Sequence, residues 1–187
     1  MATSVFPRVM KTTAAGTLAL TLGFSFLHLL TGGDGSLIAA ITFGTNAYHF
    51  CMRLAVGFLI PKATDYAFDY RKPWFQQRGW EPELYRRLGV KRWKGKLPTY
   101  APHQFSLQEN AIYRVIQNMC GAEIVHEVIM VLSFLPLALV PLFGELPVFL
   151  ITSVLSALFD SLFVIAQRFN RPRLVRIWER QHKIPHF

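Results

Sequence analysis

Three titratable residues stand within five positions of an otherwise apolar stretch: Glu123, His126 and Glu127, in "NMCGAEIVHEV", residues 118–128. On a helix they cover an arc of about 100°, with Glu123 in the middle. The i, i+3 spacing lets Glu123 reach His126. A carboxylate beside an imidazole favours a basic, oriented ring, which is what a general base requires. The stretch leads into the oily run "VIMVLSFLPLALV". That position predicts a helix N-terminus near a membrane interface, where the dipole favours carboxylates and the same residues would serve as a cap. Glu123-x-x-His126 also has the E-x-x-H form of di-iron bundles, but such a site needs a second E-x-x-H, which the chain lacks. No metal is expected, and a metal-dependent lipid-modifying enzyme stays open as an alternative. Cys120 lies in the same sector, so a Cys-His pair acting by covalent catalysis is an alternative. Glu127 receives no role.

Two further polar stripes interrupt apolar runs. Thr42, Asn46, His49 and Arg53 recur at i, i+4, i+7 and i+11, one narrow face of a helix. Ser153, Ser156, Asp160 and Gln167 form another. A carboxylate such as Asp160 is costly at membrane depth and requires a partner, for which His126, Arg53 or a substrate hydroxyl would serve. The second stripe ends in "QRFNRPRL", residues 167–174. Pro172 disfavours helix at Arg171, so a turn is expected there, displaying Arg168, Arg171 and Arg173 beside Asn170. Guanidinium forks so grouped suit phosphate or carboxylate.

The elements that must position these residues are membrane helices. Of the 187 residues, 52% are hydrophobic and 17% charged, fewer charges than the quarter or so usual in soluble domains. Four stretches approach the roughly 20 apolar residues a bilayer demands: 13–30, 36–60, 124–143 and 146–166. Tight turns at Gly32-Gly33-Asp34-Gly35 and Gly144-Glu145 pair them into two hairpins. Between the hairpins, residues 62–118 interleave aromatic rings with Arg and Lys, a composition suited to the headgroup interface. The expected fold is therefore all-α and integral to the membrane. It is a single domain over residues 1–187, with four transmembrane helices, a cytoplasmic amphipathic segment over 62–118 and a cytoplasmic tail over 168–187.

Basic residues orient it. Eleven of the twenty Lys and Arg fall between Lys62 and Arg114, six follow the fourth span, and the short turns have none. By the positive-inside rule both termini and the central segment face the cytoplasm. The net charge of +9 is thereby assigned to topology and lipid headgroups, and nucleic acid is not an expected partner. The first span is read as uncleaved, because "TGGDG" offers no A-x-A-like site. Cys51 and Cys120 form neither a zinc spacing nor a disulfide framework.

Three blocks resemble the glycosyl-diaponeurosporenoate acyltransferases of staphylococcal carotenoid (staphyloxanthin) synthesis. "VKRWKGKLP" at 90–98 is similar to that family's R-K-W-K-x-K block. "AEIVHE" at 122–127 is similar to A-E-L-I-H-W, and "QRFNRPRL" to Q-R-Y-N-R-P-R-L. The likeness covers about residues 66–175. It departs at Glu127, where an aromatic residue is usual, at Asp160 for Asn and at Leu162 for Pro.

The resemblance implies a small membrane enzyme that esterifies a sugar hydroxyl of a glycosylated lipid. By position, Trp93, Lys94, Glu123, His126, Gln167, Asn170, Arg171 and Arg173 would be its functional set. Acyl transfer to an alcohol needs a base, an oxyanion stabiliser and a grip on the donor. His126 is then expected as base with Glu123 as its orienter. Arg171 and Arg173, with Lys94 and Lys96, would hold phosphates of acyl-CoA or an acyl carrier protein. Trp93 would line the acyl entrance, and Asp160, Asn46 and Arg53 would hold the acceptor or the oxyanion. No resident cofactor is required beyond the acyl donor. Expected partners are membrane lipids, that donor and a lipid-linked acceptor, and a homo-oligomer is compatible with all of this. A non-catalytic, lipid-binding membrane subunit is the alternative from another class.

Overall fold

A computed structural model of the chain describes residues 5–182. Within them every regular element is helical and no strand occurs. Seven α-helices follow in order: α1 (Phe6–Thr31), α2 (Asp34–Thr64), α3 (Glu81–Arg87), α4 (Val90–Trp93), α5 (Ile112–Leu132), α6 (Val140–Phe143) and α7 (Leu146–Gln181). Three stretches are long and apolar enough to cross a membrane: Phe6–Thr31, Ile112–Phe143 and Leu146–Gln181. Their composition is that of chains satisfied by lipid: α1 buries only Met10 and Ala14 and leaves Leu22 and Leu29 exposed. At 31 residues α2 is as long, but Asn46, His49 and Arg53 dilute its hydropathy.

The described residues form two compact units. One gathers Leu59–Glu127 with the chain from Ser161 onward, and the other gathers Val5–Phe58 with Val128–Asp160. In the second unit, α1 ends where Gly32 adopts φ 64°, a conformation that favours glycine. Its N–H is donated to the carbonyl of His28. Beyond the turn α2 lies against α1, with Phe24 and Phe43 stacked at 5.5 Å. Gly144, φ 80°, makes the corresponding break before α7.

In the first unit the segment between α2 and α5 is folded rather than an unstructured connector. Two short 3₁₀ turns flank α3 and α4, at Pro73–Phe75 and Lys94–Lys96. Tyr70 and Phe75 from this segment bury against Ile116 and Cys120 of α5, and Leu174, Val175 and Trp178 of α7 pack on the same cluster. At Gly121 the Tyr66 ring lies where a Cβ would be, so only glycine admits it.

Three expectations are corrected. The third apolar stretch is not one helix over 124–143. α5 begins at Ile112, inside the segment read as interfacial, and ends at Leu132. Pro136 and Pro141 cannot donate to the helix ladder, and the chain continues as a 3₁₀ stretch, Leu135–Leu139, and the short α6. Glu123 is therefore well inside α5, away from the helix terminus whose dipole was to favour it. Finally, no turn follows Arg171. α7 runs through Pro172 to Gln181, so residues 168–181 continue the helix, and 183–187 lie outside the described residues. Pro172 costs one ladder hydrogen bond, and the side chain of Arg171 is held by the anchors described next.

Candidate functional site

The first unit is organised by a four-membered ion network. α5 supplies Glu123, which is fully buried, and α7 supplies Arg168 and Arg171 one turn apart. The stretch before and at the start of α3 supplies Glu81 and a row of carbonyls. Arg168 Nη1 donates to Glu123 Oε1 at 2.6 Å and to the Trp74 carbonyl at 2.8 Å. Its Nη2 donates to Glu81 Oε1 and to the Gln76 carbonyl, the latter at 2.9 Å. Arg171 donates to Glu123 Oε2 and to the Phe75 carbonyl, and its guanidinium lies over the Phe75 ring. Tyr85 closes the set by donating its hydroxyl to Glu81 Oε2 at 2.7 Å. Two guanidinia face two carboxylates, so the buried charge sums to zero, the condition for tolerating such groups away from water.

Outside the apolar stretches the electrostatics follow from these partners. Burial pushes the Glu81 carboxyl upward, but hydrogen bonds from Arg168 and Tyr85 outweigh it and hold the group below its ordinary value. Burial, then the adjacent Glu81 carboxylate, raises the Tyr85 hydroxyl. Lys94 is shifted down, by burial first and then by the positive charges of Arg173 and Lys91.

The unit that holds this network also holds most of the residues singled out from sequence. The His126 ring stacks nearly parallel on Phe163, 4.5 Å between centroids and 8° between planes. Glu127 accepts a hydrogen bond from Trp74 Nε1 at 2.8 Å. Lys94 Nζ donates to Asn170 Oδ1 and sits 4.7 Å above the Phe169 ring. Trp93 donates Nε1 to the Leu88 carbonyl at 3.0 Å. Lys96 and Arg173 are exposed, and Gln167 is half-buried on α7. Arg171, expected on display beside Arg173, is instead 2% exposed and wholly occupied.

Asn46, Arg53 and Asp160 belong to the second unit, as a separate group. Arg53 donates Nε and Nη2 to Asp160 Oδ2 at 3.0 and 2.5 Å. Nη2 also reaches Ser156 Oγ at 2.7 Å, and Ser156 in turn meets Ser133 Oγ at 2.8 Å. Of the partners considered for Asp160, Arg53 thus holds it directly. Asn46 donates to the Thr42 carbonyl one turn back.

Glu81 and Trp74 were missed from sequence. The available signal was charge balance: Glu81 is one of few carboxylates in a strongly basic segment, and a buried arginine pair must find as many. Cys120 is fully buried in the core beside Tyr70 and Phe75, a poor position for a nucleophile. Among the described residues no group of three or more His, Cys, Asp or Glu converges as a metal site would require.

The family model for glycosyl-4,4'-diaponeurosporenoate acyltransferase matches residues 71–180, more than half of the chain. No curated protein and no solved structure matches it. The matched span contains α3, α4, α5, α6 and nearly all of α7, hence the entire ion network.

Proposed function

The chain belongs to the glycosyl-4,4'-diaponeurosporenoate acyltransferase family, and from that premise we propose that it transfers a fatty acyl group from a thioester donor to a hydroxyl of a glycosylated carotenoid-type lipid. The observation that carries this reading is convergence. Three blocks separated by up to some 80 residues, which bear Lys94, His126 and Asn170 with Arg173, meet in one compact unit around a charge-neutral clamp.

His126 is the general base. It takes the proton of the acceptor hydroxyl as that oxygen attacks the thioester carbonyl. The new C–O bond forms, the C–S bond breaks, and the thiolate leaves with the proton returned by the imidazolium. The parallel stack on Phe163 fixes the ring plane. Glu123 contributes as the anchor of Arg168 and Arg171, and through them it fixes the helix that bears His126. The donor is an acyl-CoA or acyl carrier protein, its phosphates held by Lys94, Lys96 and Arg173. Because Arg171 is neutralised by Glu123, its part is to support this face rather than to touch the donor.

In the membrane, α2 is a fourth span beside the three apolar stretches, and its one internal cation is compensated by Asp160. The termini and the segment carrying α3 and α4 face the cytoplasm of a bacterial cell, as the basic residues there favour. The test is labelled acyl transfer by purified protein with acyl-CoA and a glycolipid acceptor. His126→Ala should lower kcat about 10²–10⁴-fold while the unfolding midpoint holds. Transfer at the wild-type rate by the variant would dispose of His126 as base.

A further inference from the structure

The second unit contains a cleft of about 440 Å³ that the ion network does not use. That volume falls in the range of small-molecule sites. Met10 of α1, Phe50 of α2 and Leu155 and Phe159 of α7 give it apolar walls. Asn46, His49, Arg53, Thr152 and Ser156 supply its polar lining.

Two features of that lining bear on what the cleft takes. The first is charge. Arg53 is paired with Asp160 and Ser156, so the cleft offers hydrogen-bond donors with little net positive charge. A phosphate or carboxylate entering there would find Arg53 already neutralised by the buried Asp160, so an uncharged head is favoured. The second is His49. Its side chain is 3% exposed, and neither ring nitrogen has a hydrogen-bond partner. A neutral imidazole carries one donor and one acceptor, and a buried polar group is nearly always satisfied. Hydroxyl groups donate and accept at once, so a hydroxyl can complement either nitrogen in either tautomer. Asn46 adds an amide whose nitrogen is engaged by the Thr42 carbonyl.

We infer that this cleft seats a neutral, hydroxyl-bearing head on a hydrocarbon chain, with His49 as a binding residue. On the acyltransferase reading, on which this assignment of substrate rests, the occupant is the glycosylated acceptor and not the anionic donor. Uncharged membrane lipids such as diacylglycerol share the same chemistry, so the experiment must separate the two sources.

The probe is a long-chain alkyl glucoside with a photoreactive group near its head, offered to the full-length protein in phosphatidylcholine nanodiscs. Crosslinks should map to peptides containing residues 46–53 and 152–159. His49→Leu should weaken labelling about tenfold, the loss of one good hydrogen bond or slightly more. Leu155→Trp, at a position 61% exposed and so tolerant of bulk, should block the cleft without unfolding the protein. In turnover assays both variants should raise KM for the acceptor and leave KM for the acyl donor unchanged. Unlabelled glucoside should compete. Equal competition by diacylglycerol would overturn the assignment to the acceptor, and stronger competition by phosphatidylglycerol would overturn the neutral-head argument. Labelling elsewhere, or labelling indifferent to both variants, would overturn the site itself. If cleft labelling behaves as expected but no acyl transfer is ever observed, the acyltransferase chemistry fails and the cleft stands.

Discussion

Removing the guanidinium of Arg171 distinguishes an internal strut from a donor ligand. Arg171→Met retains most of the stem and leaves Glu123 facing Arg168 alone. Arg168 is already shared with Glu81, so two buried carboxylates would depend on one guanidinium. Two unit charges about 4 Å apart are worth about 4 kcal/mol at an effective dielectric constant near 20. Breaking a buried pair from one side costs about 3–5 kcal/mol. The two figures agree, and the lost bond to the Phe75 carbonyl adds to them. At roughly 2–4 °C per kcal/mol for a chain of this size, the unfolding midpoint in detergent should fall by roughly 6–20 °C. The double variant Arg171→Met/Glu123→Leu leaves Arg168 balanced by Glu81 and should recover much of the loss. A double-mutant cycle read by scanning fluorimetry then gives a coupling well above the few tenths of a kcal/mol expected of independent sites. A midpoint unchanged in Arg171→Met, together with a raised KM for the acyl donor, would refute this reasoning and make Arg171 a ligand.

Two further predictions address the same unit. Glu81, held below its ordinary pKa, contributes stability that is present above its unfolded value and is lost as pH falls through the lower folded value. Acid titration of the midpoint should therefore show a loss below the usual carboxylate range, which Glu81→Gln should flatten, starting from a lower stability at neutral pH. Gly121→Ala would drive a Cβ into the Tyr66 ring and should destabilise by about 1–3 kcal/mol, measured by the same unfolding assay. Adding Tyr66→Ala should return part of it.

The apolar stretches and the glycine turns were legible because each is a local property: composition over some twenty residues, or a backbone position with φ near +60° or +80°. What sequence did not reveal depends on partners distant in the chain. Pro172 argues for a break by local rules, yet α7 passes through it, where Arg171 is fastened by a carboxylate 48 residues away and a carbonyl 96 residues away. Glu127 had no evident role because its partner, Trp74, lies 53 residues earlier in what read as an interfacial aromatic run. Glu123 and His126 are neighbours at i, i+3 as read, but the arginines that occupy both oxygens of Glu123 could not be chosen over other basic residues from spacing alone. The Asp160 requirement for a partner was a physical demand, and one of the three partners it allowed, Arg53, meets it.

The continuity of α7 also decides which cations remain for a ligand. Successive residues turn by about 100°, so Arg173 stands roughly 160° from Arg171, on the far side of the helix, while Asn170 and Arg173 lie within about 60° of each other. A turn at Pro172 would have freed the two arginines to act together; an unbroken helix separates them. Arg171 points to Glu123, and Asn170 meets Lys94. Lys94, Asn170 and Arg173 therefore share a face on which burial, and then the like charges of Arg173 and Lys91, lower the basicity of the lysine. An anion placed there relieves that repulsion. The same anion beside Arg168 or Arg171 would have to displace a carboxylate first. On the proposed acyltransferase reading, donor affinity should then depend on Lys94 and Arg173 and should weaken with ionic strength, because these charges lie near the surface where salt screens them.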